Sequence, residues 1–199
     1  VDRSGTEPDG KNECLCPVDC HAGPWPDYVI LDNDIYDIFY NRLADGVKCV
    51  CVFDCCHSGT MADLQCTRAM KPPVCEDDAG DDGSRWMDPP EDMKEEFEAM
   101  EPSGERQVAD RSAASPEKQV WTFSGCQDHQ TSADAHIGGR PCGALTWAYL
   151  KALKECGYRA SYSDLLNATR KNLKGRFTQI PGLSTTCNEY VDHYYLETK

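Results

Sequence analysis

An α/β architecture with a mostly parallel sheet flanked by helices is what the sequence predicts, and two features predict it. VKCVCVFDCC (47–56) and QVWTFSGC (119–126) are short runs of apolar and β-branched residues. Such runs read as strands buried on both faces, as in a parallel sheet. Stretches with apolar residues at helical spacing precede the first run and follow the second, and that alternation marks α/β proteins.

Taken in order, residues 1–31 are rich in Gly, Pro, Cys and Asp and read as loop. A helix is expected over 33–44, where Ile35, Ile38, Phe39 and Leu43 share a face; Asp32 or Asn33 caps it and Gly46 ends it. The first strand stops at Asp54 and gives way to the polar turn His57-Ser58-Gly59-Thr60. Residues 67–119 carry no apolar period and hold Pro72, Pro73, Pro89, Pro90, Pro102 and Pro116, so they read as a mobile linker with a short helix at 91–100. After the second strand, helices are expected at 142–156, closed by Gly157, and at 161–175, opened by a capping box of Ser161 and Asp164. The chain thus divides into residues 1–66, an acidic linker 67–119, and residues 120–199.

The net charge of −14 is concentrated: fifteen acidic and four basic residues fall in 76–117. This argues against nucleic acid as a partner, which calls for a basic face. It suits solubility and the attraction of basic substrates or cations. No apolar run reaches the ~20 residues a membrane span needs, so no membrane partner is expected. No leader is recognisable, so a cytoplasmic location is expected. The sequence opens on Val1, which suggests a processed or truncated chain. Thirteen cysteines, an odd number, read as mostly reduced thiols.

In open α/β sheets, chemistry gathers beyond the carboxyl ends of the strands. Both expected strands end in cysteine-bearing turns, Asp54-Cys55-Cys56-His57-Ser58-Gly59 and Ser124-Gly125-Cys126-Gln127-Asp128. A cysteine at a strand end before a Ser-Gly turn can expose its sulfur at the top of the sheet; the alternative is a buried structural cysteine that merely ends the strand. A helix starting there favours the thiolate, and backbone N–H groups nearby can hold an oxyanion. Those are the requirements of a thiol peptidase.

FDCCHSGT (53–60) resembles the nucleophile motif of metacaspases, cysteine peptidases of the caspase fold. Further segments resemble the family in the same order: CLCPVD (14–19), LDNDIYDIF (31–39), SGCQDHQTSADA (124–135), GALTWAYL (143–150) and QIPGLST (179–185). The resemblance implies a caspase-like fold with the type I order of large then small subunit. Residues 1–66 would be the C-terminal part of the large subunit and 120–199 the small one, and the sheet's first strands would be absent from this chain. It implies Cys56 as nucleophile, Cys55 as bystander, and Asp54 as the S1 carboxylate that accepts a substrate Lys or Arg. A bidentate Arg–carboxylate pair is strong and selective. Read without the resemblance, Asp54 is a strand-end cap. The partners implied are protein or peptide substrates with Lys or Arg at the cleavage site. The linker's Arg68, Lys71, Arg85, Lys94, Arg106, Arg111 and Lys118 would then be candidate positions of self-processing.

The family's calcium site maps onto Asn12, Asp32, Asn33 and Asp63. Two of these are amides, which ligate without charge, so a weak Ca2+ site is expected; the alternative is that Asp32 and Asn33 are helix caps. No organic cofactor is expected. A thiol peptidase also needs a base and an acid. The family's histidine lies in a Ser-Gly-His-Gly strand end just before a stretch like DRSGTEPDGKNE, and this chain begins with VDRSGTEPDGKNE. The dyad histidine is therefore expected upstream of this chain, with His129 a remote substitute, and the chain alone is expected to be inactive or incomplete. A zinc reading of Cys14, Cys16, Cys20 and His21 departs from the usual ligand spacing. Two functions stay open: an endopeptidase cleaving after Lys or Arg through a Cys-His dyad, and a non-catalytic caspase-fold binding or regulatory protein.

Overall fold

The computed structural model describes residues 13–23, 27–55, 118–126, 133–137 and 139–186. The expected linker falls outside these residues except for Lys118 and Gln119, as does its short helix at 91–100.

Residues 13–23 and 27–31 hold little regular structure, as their composition suggests. A two-residue strand β1 (Cys14–Leu15) pairs antiparallel with β2 (Ile30–Leu31). Helix α1 (Asp32–Tyr36) follows at once and widens into a π-helical turn, Asp37–Asn41. The expected helix is thus present but shorter, and it loses α geometry at Asp37. Ile35 and Tyr40 are its buried apolar side chains, beside the buried Asp32, whereas Ile38 and Phe39 are exposed. Gly46 takes a positive φ of 75° in the turn that follows, a conformation glycine adopts without steric cost.

The central sheet has the order β3-β4-β7, formed by β3 (Lys48–Phe53), β4 (Gln119–Ser124) and β7 (Gly182–Thr185). β3 and β4 are parallel, in a register from Lys48↔Gln119 to Phe53↔Ser124, and β4 and β7 are antiparallel. β4 is buried on both faces, with Val120, Trp121, Thr122, Phe123 and Ser124 all inside. The expectation of two-sided burial fails for β3: Val52 is 39% exposed. Among the described residues β3 pairs on one side alone, and a strand at the edge of a sheet keeps part of its surface in solvent.

Two helices cover one face of β4: α2 (Ala144–Glu155) and α3 (Tyr162–Leu173). Trp121 stacks on Tyr162 with centroids 4.6 Å apart, and Phe123 meets Tyr149 edge-on at 5.2 Å. Leu153, Leu165, Leu166 and Leu183 complete this cluster. Ser161 Oγ accepts from Asp164 N at 3.0 Å, the cap expected at the start of α3. A hairpin of β5 (Asp134–Ile137) and β6 (Arg140–Gly143) leads directly into α2 and was not expected from the sequence. Lys118 Nζ donates to the carbonyls of Tyr40 and Asn41, at 2.9 and 2.6 Å, tying the start of β4 to the end of the π turn. Lys118 is therefore not in the open, unstructured context that was expected of it as a cleavage position. No helix among the described residues is long and apolar enough to cross a membrane.

Candidate site at the carboxyl ends of β3 and β4

The parallel register places Asp54-Cys55 beside Gly125-Cys126, one step past the Phe53↔Ser124 pair. Two chemistry-bearing turns far apart in sequence thus share one sheet edge. Cys126 is fully buried, and its Sγ donates to the Cys55 carbonyl at 3.5 Å. That carbonyl belongs to the peptide joining Cys55 to Cys56, so the contact orients the backbone entering the candidate nucleophile. Cys56, His57, Asp63, Asn12 and His129 lie outside the described residues.

Asp54 is half-buried, and its Oδ2 accepts two hydrogen bonds from Thr146, one from the backbone N at 2.9 Å and one from Oγ1 at 2.6 Å. Thr146 is the third residue of α2, whose N-cap, Gly143, offers no side chain. The carboxylate therefore caps α2 from across the fold, where the N–H groups of a first helical turn want an anion. The bland reading of Asp54 was a strand-end cap; what it caps is a helix start in another part of the chain.

Gln179, 3% exposed, completes the same region. Its Nε2 donates to the Gly125 carbonyl at 2.9 Å and its Oε1 accepts from Ala133 N at 2.8 Å. The Ala133 carbonyl accepts in turn from Ala144 N at 3.0 Å, at the start of α2. Hydrogen bonds and peptide links therefore form a closed circuit: Asp54, Thr146, Ala144, Ala133, Gln179, Gly125, Cys126, Cys55 and back to Asp54. Sequence reasoning missed Thr146 and Gln179. Thr146 answers an acid 92 residues away, which no local pattern reveals. Gln179 had a signal in QIPGLST, but only as part of a resemblance.

The residues expected to bind calcium are described in part. Asp32 is fully buried; its Oδ2 accepts from Glu13 N at 2.9 Å and its Oδ1 from Asn33 N at 2.7 Å. Asp32 N donates to the Glu13 carbonyl at 3.1 Å, so β1 is anchored to the start of α1. Nearby, the Cys14 thiol is pushed up to about 12, first by burial, then by Cys16, Asp32 and Glu13. Cys14 and Cys16 lie on one side of the backbone with their sulfurs 4.0 Å apart. No group of three or more His, Cys, Asp or Glu that could hold a metal ion occurs among the described residues, so Cys14, Cys16, Cys20 and His21 form no zinc cluster. Cys49 and Cys51, on β3, have sulfurs 3.8 Å apart. The Cys51 thiol is also raised to about 12, by burial and then by Cys49.

The caspase domain profile matches residues 4–191. Metacaspase-1B of Aspergillus fumigatus is 32% identical over 204 residues, which is 96% of this chain and 48% of that protein. Metacaspase-1 of Yarrowia lipolytica is 33% identical over 203 residues, 93% of this chain and 42% of that protein. Metacaspase-1A of Neurospora crassa is 32% identical over 212 residues, 98% of this chain and 45% of that protein. The chain thus spans about half the length of the curated relatives it matches. A crystal structure of a Geobacter sulfurreducens protein superposes with a TM-score of 0.54 at 23% identity, covering 94% of this chain and 61% of that one.

Proposed function

Because the chain belongs to the caspase domain family, we propose that it is the nucleophile-bearing part of a cysteine endopeptidase that cleaves after Lys or Arg. The expected caspase-like α/β fold and the resemblance to metacaspases both hold. The observation that carries the proposal is the sheet edge where Asp54 and Cys55 meet Gly125 and Cys126, immediately before Cys56. In this reading Cys56 is the nucleophile and Asp54 receives the cationic side chain of the substrate. The base and acid come from a histidine outside these 199 residues. The helix start that Asp54 caps supports this role, since Thr146 holds one carboxylate oxygen with two hydrogen bonds.

A calcium site at Asn12, Asp32, Asn33 and Asp63 belongs to the same proposal. The described half suits a hard cation. Asp32 is buried and oriented by two N–H donors, and each of its oxygens keeps a second lone pair. The upward push on Cys14 by Asp32 and Glu13 marks the region as electronegative. Calcium there would neutralise these carboxylates. Thirteen cysteines, an odd number, cannot all pair within one chain; mostly reduced thiols suit a reducing compartment, and a cytoplasmic location is proposed on that ground.

The test is hydrolysis of an Arg-ended fluorogenic peptide by this chain and by a version carrying the residues proposed to precede it, each with Cys56→Ala as control. Activity in the longer version alone, abolished by Cys56→Ala, is the expected result. Equal activity of the short chain would move the base to His129. Two inert proteins, indifferent to Cys56→Ala, would favour the binding-protein reading.

A further inference from the structure

We propose that Gln179 is a positioning residue, whose one side-chain amide closes the circuit that holds Asp54 and the Cys55–Cys56 peptide in register. The proposal rests on the peptidase reading above for what the positioning serves, and on geometry for the clamp itself. Gln179 precedes β7 and is 3% exposed. A buried primary amide that loses its partners carries the full desolvation penalty, so the Gly125 and Ala133 bonds, at 2.9 and 2.8 Å, constrain both groups strongly.

Those two groups flank residues 126–132. One amide can reach both only if they lie close together, so Gln179 sets the separation between the exit of β4 and the entry of β5. From Gly125 the constraint passes through Cys126 Sγ to the Cys55 carbonyl. From Ala133 it passes through Ala144 N to the start of α2, and from Thr146 to Asp54. Both routes end on adjacent residues, Asp54 and Cys55. A shift at Gln179 therefore changes the carboxylate's position relative to the peptide that leads into Cys56. Misplacing reacting groups by about 1 Å costs on the order of a hundredfold in rate, so even a partial loosening should be measurable.

Two substitutions separate the two bonds. Gln179→Met keeps the length and removes both. Gln179→Glu keeps the acceptor for Ala133 N and removes the donor to Gly125. A buried glutamate facing a carbonyl is held protonated to higher pH than usual, and its neutral form can donate to Gly125 again. Two readouts are taken: amide hydrogen exchange on the 199-residue chain, and, on the version carrying the residues proposed to precede it, the inactivation constants kinact and KI for labelling of Cys56 by an Arg-ended peptidyl chloromethyl ketone. Unfolding curves confirm that each variant is folded.

The expected result is faster exchange at Ala133, Ala144 and Thr146, whose N–H groups donate within the circuit. A fall of about tenfold in kinact/KI should accompany it, with the Gln179→Glu to wild-type ratio recovering as pH falls. Unchanged exchange in both variants overturns the clamp. Faster exchange with unchanged labelling overturns the positioning role and leaves a structural brace. If the longer version with Gln179 intact takes no label at Cys56, the peptidase reading fails and so does the positioning role, while exchange still decides whether Gln179 clamps the segment.

Discussion

Asp54 is assigned two roles, a cap for α2 and a receptor for a substrate cation, and two substitutions pull them apart. Asp54→Ala removes both bonds from Thr146, at 2.9 and 2.6 Å. Loss of a helix cap costs ~1 kcal/mol, within a range of about 0.5–2. The site is half-exposed, so water replaces part of what is lost. At roughly 2–4 °C per kcal/mol for a chain of this size, Tm should fall by about 2–6 °C. Asp54→Asn keeps an acceptor oxygen for Thr146 and gives up the charge at the helix start, worth about 0.3–1 kcal/mol, so Tm should fall by about 1–3 °C. Substrate discrimination behaves differently. Both variants lose the carboxylate that would pair with arginine. An ion pair at a partly exposed site contributes roughly 1–3 kcal/mol, and each 1.4 kcal/mol is about tenfold. The assay is labelling of Cys56 by Arg-ended and citrulline-ended chloromethyl ketones, which differ in charge and hardly in shape. The wild-type preference for arginine should be about ten- to a hundredfold, and both variants should abolish it. An asparagine variant that keeps the arginine preference would leave Asp54 a helix cap and nothing more.

Replacing Asn12 and Asn33 by Asp should tighten calcium binding in calorimetry, because added charge raises affinity for a hard cation; equal affinities, or heat from neither protein, would remove the site. Cys14 and Cys51, both raised to about 12, stay protonated at neutral pH and should alkylate appreciably only in strongly alkaline solution, so peptide mapping near pH 7.5 should find Cys56 labelled before either. Rapid labelling of Cys14 or Cys51 there would contradict the burial argument. Phe123→Ala should cost ~3–5 kcal/mol in denaturant unfolding, since the ring is fully buried against Tyr149 and Tyr162; a loss under 1 kcal/mol would mean that cluster is not the core. A Cβ at Gly182 would lie 2.6 Å from Ser124 Oγ, so Gly182→Ala should destabilise by about 1–3 kcal/mol, and an unchanged Tm would show that the Ser124 side chain turns away at no cost.

The parts of the fold legible in the sequence are those in which local pattern and packing agree. β4 reads as a buried strand because Val120, Trp121, Thr122 and Phe123 are all inside. α3 reads as a helix because Ser161 caps it and Leu165, Leu166 and Leu173 share its inner face. The β5–β6 hairpin gave no signal: its strands are four residues each, and one of them contains Pro141. β3 looked like β4 in composition, yet its partial exposure depends on which neighbours the topology provides, and that is not written in the strand itself. At the site, the cysteine-bearing turn and Asp54 stood out through their motif. Their juxtaposition with Gly125 and Cys126 follows from strand order, and the part played by Thr146 and Gln179 follows from contacts across the fold. Periodicity does not encode such contacts.

The parallel pairing of β3 with β4 joins Lys48 to Gln119, so forming it closes a loop of roughly seventy residues before any contact in the pair rewards the closure. Closure entropy grows with the logarithm of loop length, and doubling the intervening chain costs only about 0.6 kcal/mol. On closure entropy alone, the length of that stretch is nearly neutral for the pairing. Its continuity is another matter. A single break turns β3–β4 pairing from a folding event within one chain into an association between two, and the separated strands then rejoin at a rate set by concentration. Dilution would leave an uncut chain unaffected while slowly dissociating a nicked one. Persistence of the nicked pair at low concentration thus measures how firmly the aromatic cluster, the Lys118 bonds and the Gln179 circuit hold the two pieces without a covalent tether.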